Sequence, residues 1–193
     1  MRNVSEVEAD PVADAVLDAA ARFLRLTPGR PAPIAELARQ AGVSRPTVYR
    51  RFADGDAVVR ALWQREIGRL IASTPRSGDT RTALVAQIVE LAERISTHEV
   101  LAPTFRTEQA LIARYIVDRL GAGQRALLHV LEDAIAEVQR GGTVRPGAPR
   151  ELAAMTLLIA QSAIQSRHMI AEHLPEPSWR RELASALDGY LRP

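Results

Sequence analysis

Residues 34–52 read IAELARQAGVSRPTVYRRF, and the break inside this run constrains the chain more than any other feature. Ile34, Leu37, Ala38 and Ala41 fall on one face of a helix. Gly42 follows, where a left-handed residue ends a helix at least steric cost. Ser44 then reads as an N-cap, and Pro46 falls in the first turn of the next helix, where its missing N–H costs little. That second helix is short. Its pattern buries Val48 and turns Arg45, Thr47, Tyr49, Arg50 and Arg51 to solvent. A helix, a tight glycine turn and a second helix with a basic, hydrogen-bonding face form the helix-turn-helix pattern.

An αα-turn alone is common in helical proteins, so charge has to decide. Residues 22–51 hold seven arginines and one acid, a net of +6, whereas residues 1–21 net −4 and residues 52–193 net zero. The formal charge of the whole chain is only +2. Positive charge is therefore focused on the proposed reading unit, an electrostatic footprint for a polyanion. All 25 basic residues are arginine, which reflects genomic base composition rather than function.

The run Ala41-Gly42-Val43-Ser44-Arg45-Pro46-Thr47-Val48-Tyr49, with Val16-Leu17-Asp18-Ala19-Ala20 before it and Phe52 after it, resembles the tetracycline-repressor (TetR) family of transcription regulators. The likeness covers about the first third of the chain. It implies a ligand-responsive repressor that binds a palindromic DNA operator as a homodimer. Arg45 and Pro46 match family positions that meet base edges, the arginine as a two-pronged donor to guanine and the proline as an apolar surface for a thymine methyl. Thr47, Arg50 and Arg51 match positions that grip the backbone, and Tyr49 suits either role. Val48, Phe52, Leu37 and Ile34 belong to the core. Two departures stand out. Ala32-Pro33 replaces the usual Thr or Ser that caps the first motif helix, and Gly55 replaces a lysine that usually holds phosphate. Arg30, Arg39 and Arg51 are the candidates to compensate. Binding weaker or more salt-sensitive than is usual for the family is expected.

The rest of the chain reads as helices, so the fold class is all-α, with about nine helices. Ala, Leu, Arg and Glu dominate, and no alternating strand pattern stands out. Residues 1–10 are a polar, acidic tail expected to be disordered, and Asp10-Pro11 at its end fits a helix start, with Pro near the first turn. Residues 11–53 form the helix-turn-helix domain, 54–74 a connecting helix, and 79–193 a regulatory and dimerisation domain. Within the last, helices are expected over 80–96, 104–120, 123–140 and 150–173, with a final one after Pro175 and Pro177. In the family the last two long helices build a four-helix dimer interface. Ala153, Ala154, Ala160 and Ala163 are small enough for such close approach, although they would equally fill their own subunit's core.

No cysteine is present, which excludes disulfides and thiolate chemistry. There is no apolar leader and no run of eighteen apolar residues, so a cytoplasmic protein is expected, with no membrane partner. The resemblance implies an unknown small-molecule effector. Phe105, Tyr115, His129, Met155, Gln161, Gln165 and His168 are the candidate lining residues, polar or aromatic groups within apolar helices. Solvent-facing positions would explain the Gln and His residues equally well. No metal and no cofactor is implied. Gly121-Ala122-Gly123 has no strand before it and no completing glycine, and His129 with Asp133 or His168 with His173 make no metal triad. The enzyme reading is rejected. A helical dimeric interaction module with degenerate DNA binding is the alternative.

Overall fold

In the computed structural model, which describes residues 10–27, 30, 32–75, 78–103 and 122–193, the chain divides into two units, Met1–Arg65 and Glu66–Pro193. The described residues are helical throughout, with no strand. Of the disordered tail expected over residues 1–10, Asp10 instead caps the first helix, while residues 1–9 and the helix expected over 104–120 lie outside the described residues, and Phe105 and Tyr115 with them.

The first unit begins with α1 (Pro11–Leu26). Asp10 caps it, its Oδ1 accepting the N–H groups of Val12 at 3.0 Å and Ala13 at 3.1 Å, with Pro11 in the first helical position. Val16, Leu17, Ala19, Ala20, Ala21 and Leu24 are buried along one face. The helix stops at Thr27, whose hydroxyl and N–H both donate to the Phe23 carbonyl, at 2.7 and 2.9 Å. Next come α2 (Ile34–Ala41) and the five-residue α3 (Arg45–Tyr49). α1 packs on α2 and α2 on α3. The fourth helix, α4 (Gly55–Ser73), buries Val58, Val59, Leu62 and Trp63. Arg65 ties it to α1 through Asp18 at 2.8 Å and Asp14 at 3.6 Å. The division between units falls within α4, after Arg65.

The second unit contains α5 (Arg81–Thr97), α6 (Ala122–Arg140), α7 (Pro149–Ser166), a 3-10 turn (Arg167–Met169) and α8 (Glu176–Leu191). α7 packs against α5, α6 and α8, and α5 also packs on α6 and α8. Their shared core holds Leu84, Val85, Ile88, Val89, Ile135, Val138, Leu152, Trp179, Leu183, Leu187 and Leu191.

Two expectations need correcting here. The helix expected over 150–173 ends at Ser166. Residues 168–173 are all exposed, so no apolar face is buried there to extend the helix, and the chain must reverse towards Pro175. Arg167 pins the corner, donating to the Ser96 hydroxyl and lying over the Trp179 ring at 4.8 Å. The alanines expected at an outer interface mostly turn inward. Ala153 and Ala160 are buried in the core of this unit, Ala163 packs against that core, and Ala154 is half-buried. Met155 and Leu158 occupy the outer face instead.

A polar clasp closes the ends of the second unit. The Arg81 side chain donates to Asp188 Oδ1 at 2.6 Å and to the Thr143 carbonyl at 2.9 Å. Arg192 donates to the other oxygen of Asp188 at 2.7 Å. Arg192 and Arg81 hold the Asp188 carboxyl below the usual carboxylate range. Arg81→Ala is expected to lower stability by about 2 kcal/mol, because it strips charge-assisted bonds from half-buried partners. Since the folded pKa of Asp188 is depressed, its contribution is full above the ordinary carboxylate pKa and disappears as pH falls through the folded value. Urea unfolding from pH 7 to pH 3 should therefore show the gap between the native chain and Asp188→Asn closing on acidification.

Candidate nucleic-acid interface

A helix of five residues cannot hold itself in water, so α3 depends on what fixes its ends. At its start Gly42 adopts φ 68°, ψ 27°, and the Val43 N–H reaches back to the Ala38 carbonyl at 3.0 Å, closing α2 with a left-handed turn. Ser44 is extended, and its hydroxyl oxygen accepts the Thr47 N–H at 3.2 Å. The two hydroxyls, Ser44 and Thr47, lie 2.8 Å apart and share a further hydrogen bond. Pro46 sits in the first turn. On the inner side Val48 is fully buried and Phe52 nearly so. These anchors leave Arg45, Pro46, Tyr49 and Arg50 on the outer surface, with Tyr49 55% exposed, while Thr47 is half-buried beneath its cap.

The seven arginines of the basic stretch do not all stay available. Arg39 is gripped by Glu36, with Nε on one carboxylate oxygen at 3.0 Å and a terminal nitrogen on the other at 2.6 Å. Arg39, helped by the Gln40 amide, lowers the Glu36 carboxyl to about 2. Arg51 donates through Nε to Asp10 Oδ2 at 2.5 Å, and through a terminal nitrogen to the Thr47 carbonyl at 3.4 Å. The Asp10 carboxyl is lowered, first by Arg51 and then by the Ala13 N–H. Arg22, Arg30, Arg45 and Arg50 are exposed and form no ion pair among the described residues. Asp10 is the residue that sequence reasoning missed. Its capping role was legible, but its partner lies 41 residues away.

The two departures from the family pattern touch each other. Gly55 stands so close to the loop before α2 that a Cβ there would lie 2.7 Å from the Ala32 carbonyl oxygen. Ala32 is buried, and Pro33 starts α2 without any side-chain cap bond. At the start of α4 the Asp54 carboxylate accepts the Ala57 N–H at 2.6 Å. The N-terminus of α4 is thus already occupied by the chain's own negative charge.

Of the expected effector-lining residues, those that are described are not all brought together. His129 lies on the outer face of α6 with its side chain 76% exposed, and His168 and Met155 are also exposed. His129 sits a third of a turn off the Leu128, Leu131, Ile135, Val138 face, which explains its position. Gln161 and Gln165 are half-buried on α7, three and seven residues past Leu158 and so on the same stripe of the helix. The Gln161 carbonyl accepts from the Gln124 amide at 2.6 Å, and the Gln165 amide nitrogen is buried without a hydrogen-bond partner among the described residues. Thr156 is fully buried, and its hydroxyl also lacks a partner among the described residues. No group of three His, Asp or Glu side chains among the described residues could hold a metal. None of the described helices is long and apolar enough to cross a membrane.

Comparison with known proteins agrees with this geometry. The family model for bacterial regulatory proteins of the tetR family matches residues 16–62, from α1 into α4. An uncharacterized HTH-type transcriptional regulator of Mycobacterium tuberculosis is 42% identical over 158 residues, covering 82% of each chain. A TetR-family transcriptional regulator from Rhodococcus sp. superposes with a TM-score of 0.70 at 22% identity, covering 95% of this chain and 100% of that one. RolR, solved in complex with resorcinol, superposes with a TM-score of 0.68 at 13% identity, covering 94% of this chain and 87% of that one. The chain belongs to the TetR family of DNA-binding transcriptional regulators.

Gly55 is therefore fitted to this loop rather than being a neutral loss of an anchor. Gly55→Lys is expected to cost about 1–3 kcal/mol, because its Cβ must displace backbone and not a flexible side chain. Thermal unfolding would read this as a lowered Tm, and an unchanged Tm would show that the loop yields freely.

Proposed function

We propose that this regulator is a ligand-responsive repressor that reads a palindromic operator as a homodimer in the cytoplasm. The observation that carries the reading is α3 itself. Its cap and its two buried anchors leave Arg45, Pro46, Tyr49 and Arg50 jointly exposed on a basic surface. Arg45 at the N-terminal end reaches guanine in the major groove, and Pro46 meets a neighbouring thymine methyl. Tyr49 and Arg50, with Thr47 beside them, hold the backbone, while Arg51 is engaged by Asp10. Residues 11–53 act as the DNA-reading domain, 54–74 as the connecting helix and 79–193 as the regulatory domain.

One short helix touches too few bases for useful specificity. Two copies related by a two-fold axis place their recognition helices about 34–36 Å apart, one turn of DNA, or a multiple of it. The outer faces of α7 and α8 supply a suitable surface. Met155 and Leu158 project from α7 at 45% and 58% exposure, and α8 exposes the small residues Ser185, Ala186 and Gly189. Large apolar groups of one copy can seat on the small-residue face of the other. Repression follows from the simplest use of such a complex, which is to occlude the promoter.

For the effector, support comes from the half-buried Gln161 and Gln165 of α7 and from RolR, a neighbour of similar fold solved with a small phenolic ligand. The free amide N–H of Gln165 suits a ligand carrying a hydrogen-bond acceptor on an otherwise apolar body. Such a ligand releases DNA by favouring a dimer whose reading heads are wrongly spaced, with α4 as the hinge.

Selection from a random duplex pool tests the reading head. A palindrome with G-containing half-sites is expected, and Arg45→Ala should relax the guanine position at a cost of about 1–3 kcal/mol. Retention of duplex without any enriched motif would favour the alternative, a dimeric interaction module with degenerate DNA binding. The missing lysine and the carboxylate at the start of α4 motivate that alternative. Leu158→Glu is expected to convert the dimer to monomer in sedimentation experiments, and to abolish operator binding at concentrations where the native chain binds.

A further inference from the structure

Asp10 makes two kinds of contact at once. Its Oδ1 accepts the N–H groups of Val12 and Ala13 at the start of α1, which fixes the carboxylate in place. Its Oδ2 receives Arg51 Nε at 2.5 Å, from just beyond the recognition helix. Arg51 adjoins Arg50 and lies two residues past Tyr49, at the margin of the exposed basic surface. The two side chains remain partly open to water, 28% exposed for Arg51 and 41% for Asp10.

We propose that Asp10 sets the DNA affinity of this regulator by competing with a backbone phosphate for Arg51. The proposal rests on the reading of α3 as the DNA-reading helix. Competition follows from an asymmetry in the pair. Arg51 has a long, flexible stem and can leave. Asp10 cannot follow it, because its other oxygen caps a sixteen-residue helix. A phosphate could draw Arg51 away only by leaving the carboxylate behind as a fixed negative charge beside the DNA, so in the native chain Arg51 stays on Asp10. Asp10 thus opposes binding twice, once by occupying Arg51 and once by repulsion. It is the carboxylate partner of the last cation of the basic stretch, and it belongs to the acidic first segment of the chain.

Asp10→Asn removes the charge and keeps a carbonyl oxygen for the cap. Binding of a labelled random-sequence duplex across a salt series, by fluorescence anisotropy, provides the measurement. The variant is expected to bind about five- to tenfold more tightly near 0.1 M salt, with a log–log salt slope steeper by about 0.9, the signature of one added phosphate contact. Arg51→Gln alone should leave the slope of the native chain unchanged, and in the Asp10→Asn background it should erase the gain. Asp10→Ser, which caps a helix but is too short to hold Arg51, should behave like Asp10→Asn and covers a failure of that variant to fold. An unchanged or shallower slope in Asp10→Asn overturns the proposal, as does an Arg51→Gln slope reduced by about 0.9 in the otherwise native chain. Those outcomes leave the DNA-reading assignment intact. Absence of duplex binding at low salt in the native chain and in every Asp10 variant overturns both.

Discussion

The hydrogen bond from the Thr47 N–H to the Ser44 hydroxyl, set up by the left-handed turn at Gly42, is what the reading surface depends on. α3 has five residues, too few to be stable by itself. Its direction is decided where it begins, and its depth by Val48 and Phe52 on the inner side. With cap and anchors in place, the outward residues need no further ordering before they meet DNA. A rigid element positions functional side chains better than a loop does. The turn thus couples a local backbone constraint directly to the residues proposed to carry recognition.

Charge is handled less simply than the sequence suggests. A net of +6 over residues 22–51 reads as one basic patch. The structure divides it. Arg39 is neutralised within α2 by Glu36 and Arg51 across the fold by Asp10, while Arg22, Arg30, Arg45 and Arg50 remain exposed. The set of cations free to meet a polyanion is therefore smaller than the count of arginines, with Arg45 and Arg50 at the two ends of α3. A count of charges measures long-range attraction, whereas the pairs decide which cations can touch a phosphate.

Features set by neighbours in the chain were legible in the sequence. The Asp10 and Ser44 caps, the Gly42 turn, the burial of Val48 and Phe52 and the run of α4 to Ser73 all follow from residues within one or two helical turns. Contacts across the fold were not legible. Nothing local to Asp10 announces Arg51, and nothing local to Gly55 announces the Ala32 carbonyl. The inward turn of Ala153 and Ala160 escaped for a different reason. Small apolar residues suit an interface and a tight core equally, and only the surrounding helices decide between them. The early end of α7 at Ser166 depends likewise on whether a helix extended past it would find anything to bury.

These long-range features share one physical consequence. Asp10 and Asp54 are both carboxylates at helix N-termini, where they complement the positive end of the helix dipole and satisfy orphan N–H groups. The same N-termini are where a phosphate would otherwise be welcome. A carboxylate cap therefore stabilises the reading domain at the expense of its grip on DNA, since one donor group cannot serve both anions. Gly55 extends the same choice, because its lack of a side chain lets the Ala32 backbone pack closely in the place where a cation would have stood. Internal acids and close backbone contact thus add to the apolar core of the domain. In the proposed reading its hold on DNA is left to the exposed Arg45 and Arg50 of α3, which makes that hold dependent on ionic strength and on the sequence they read.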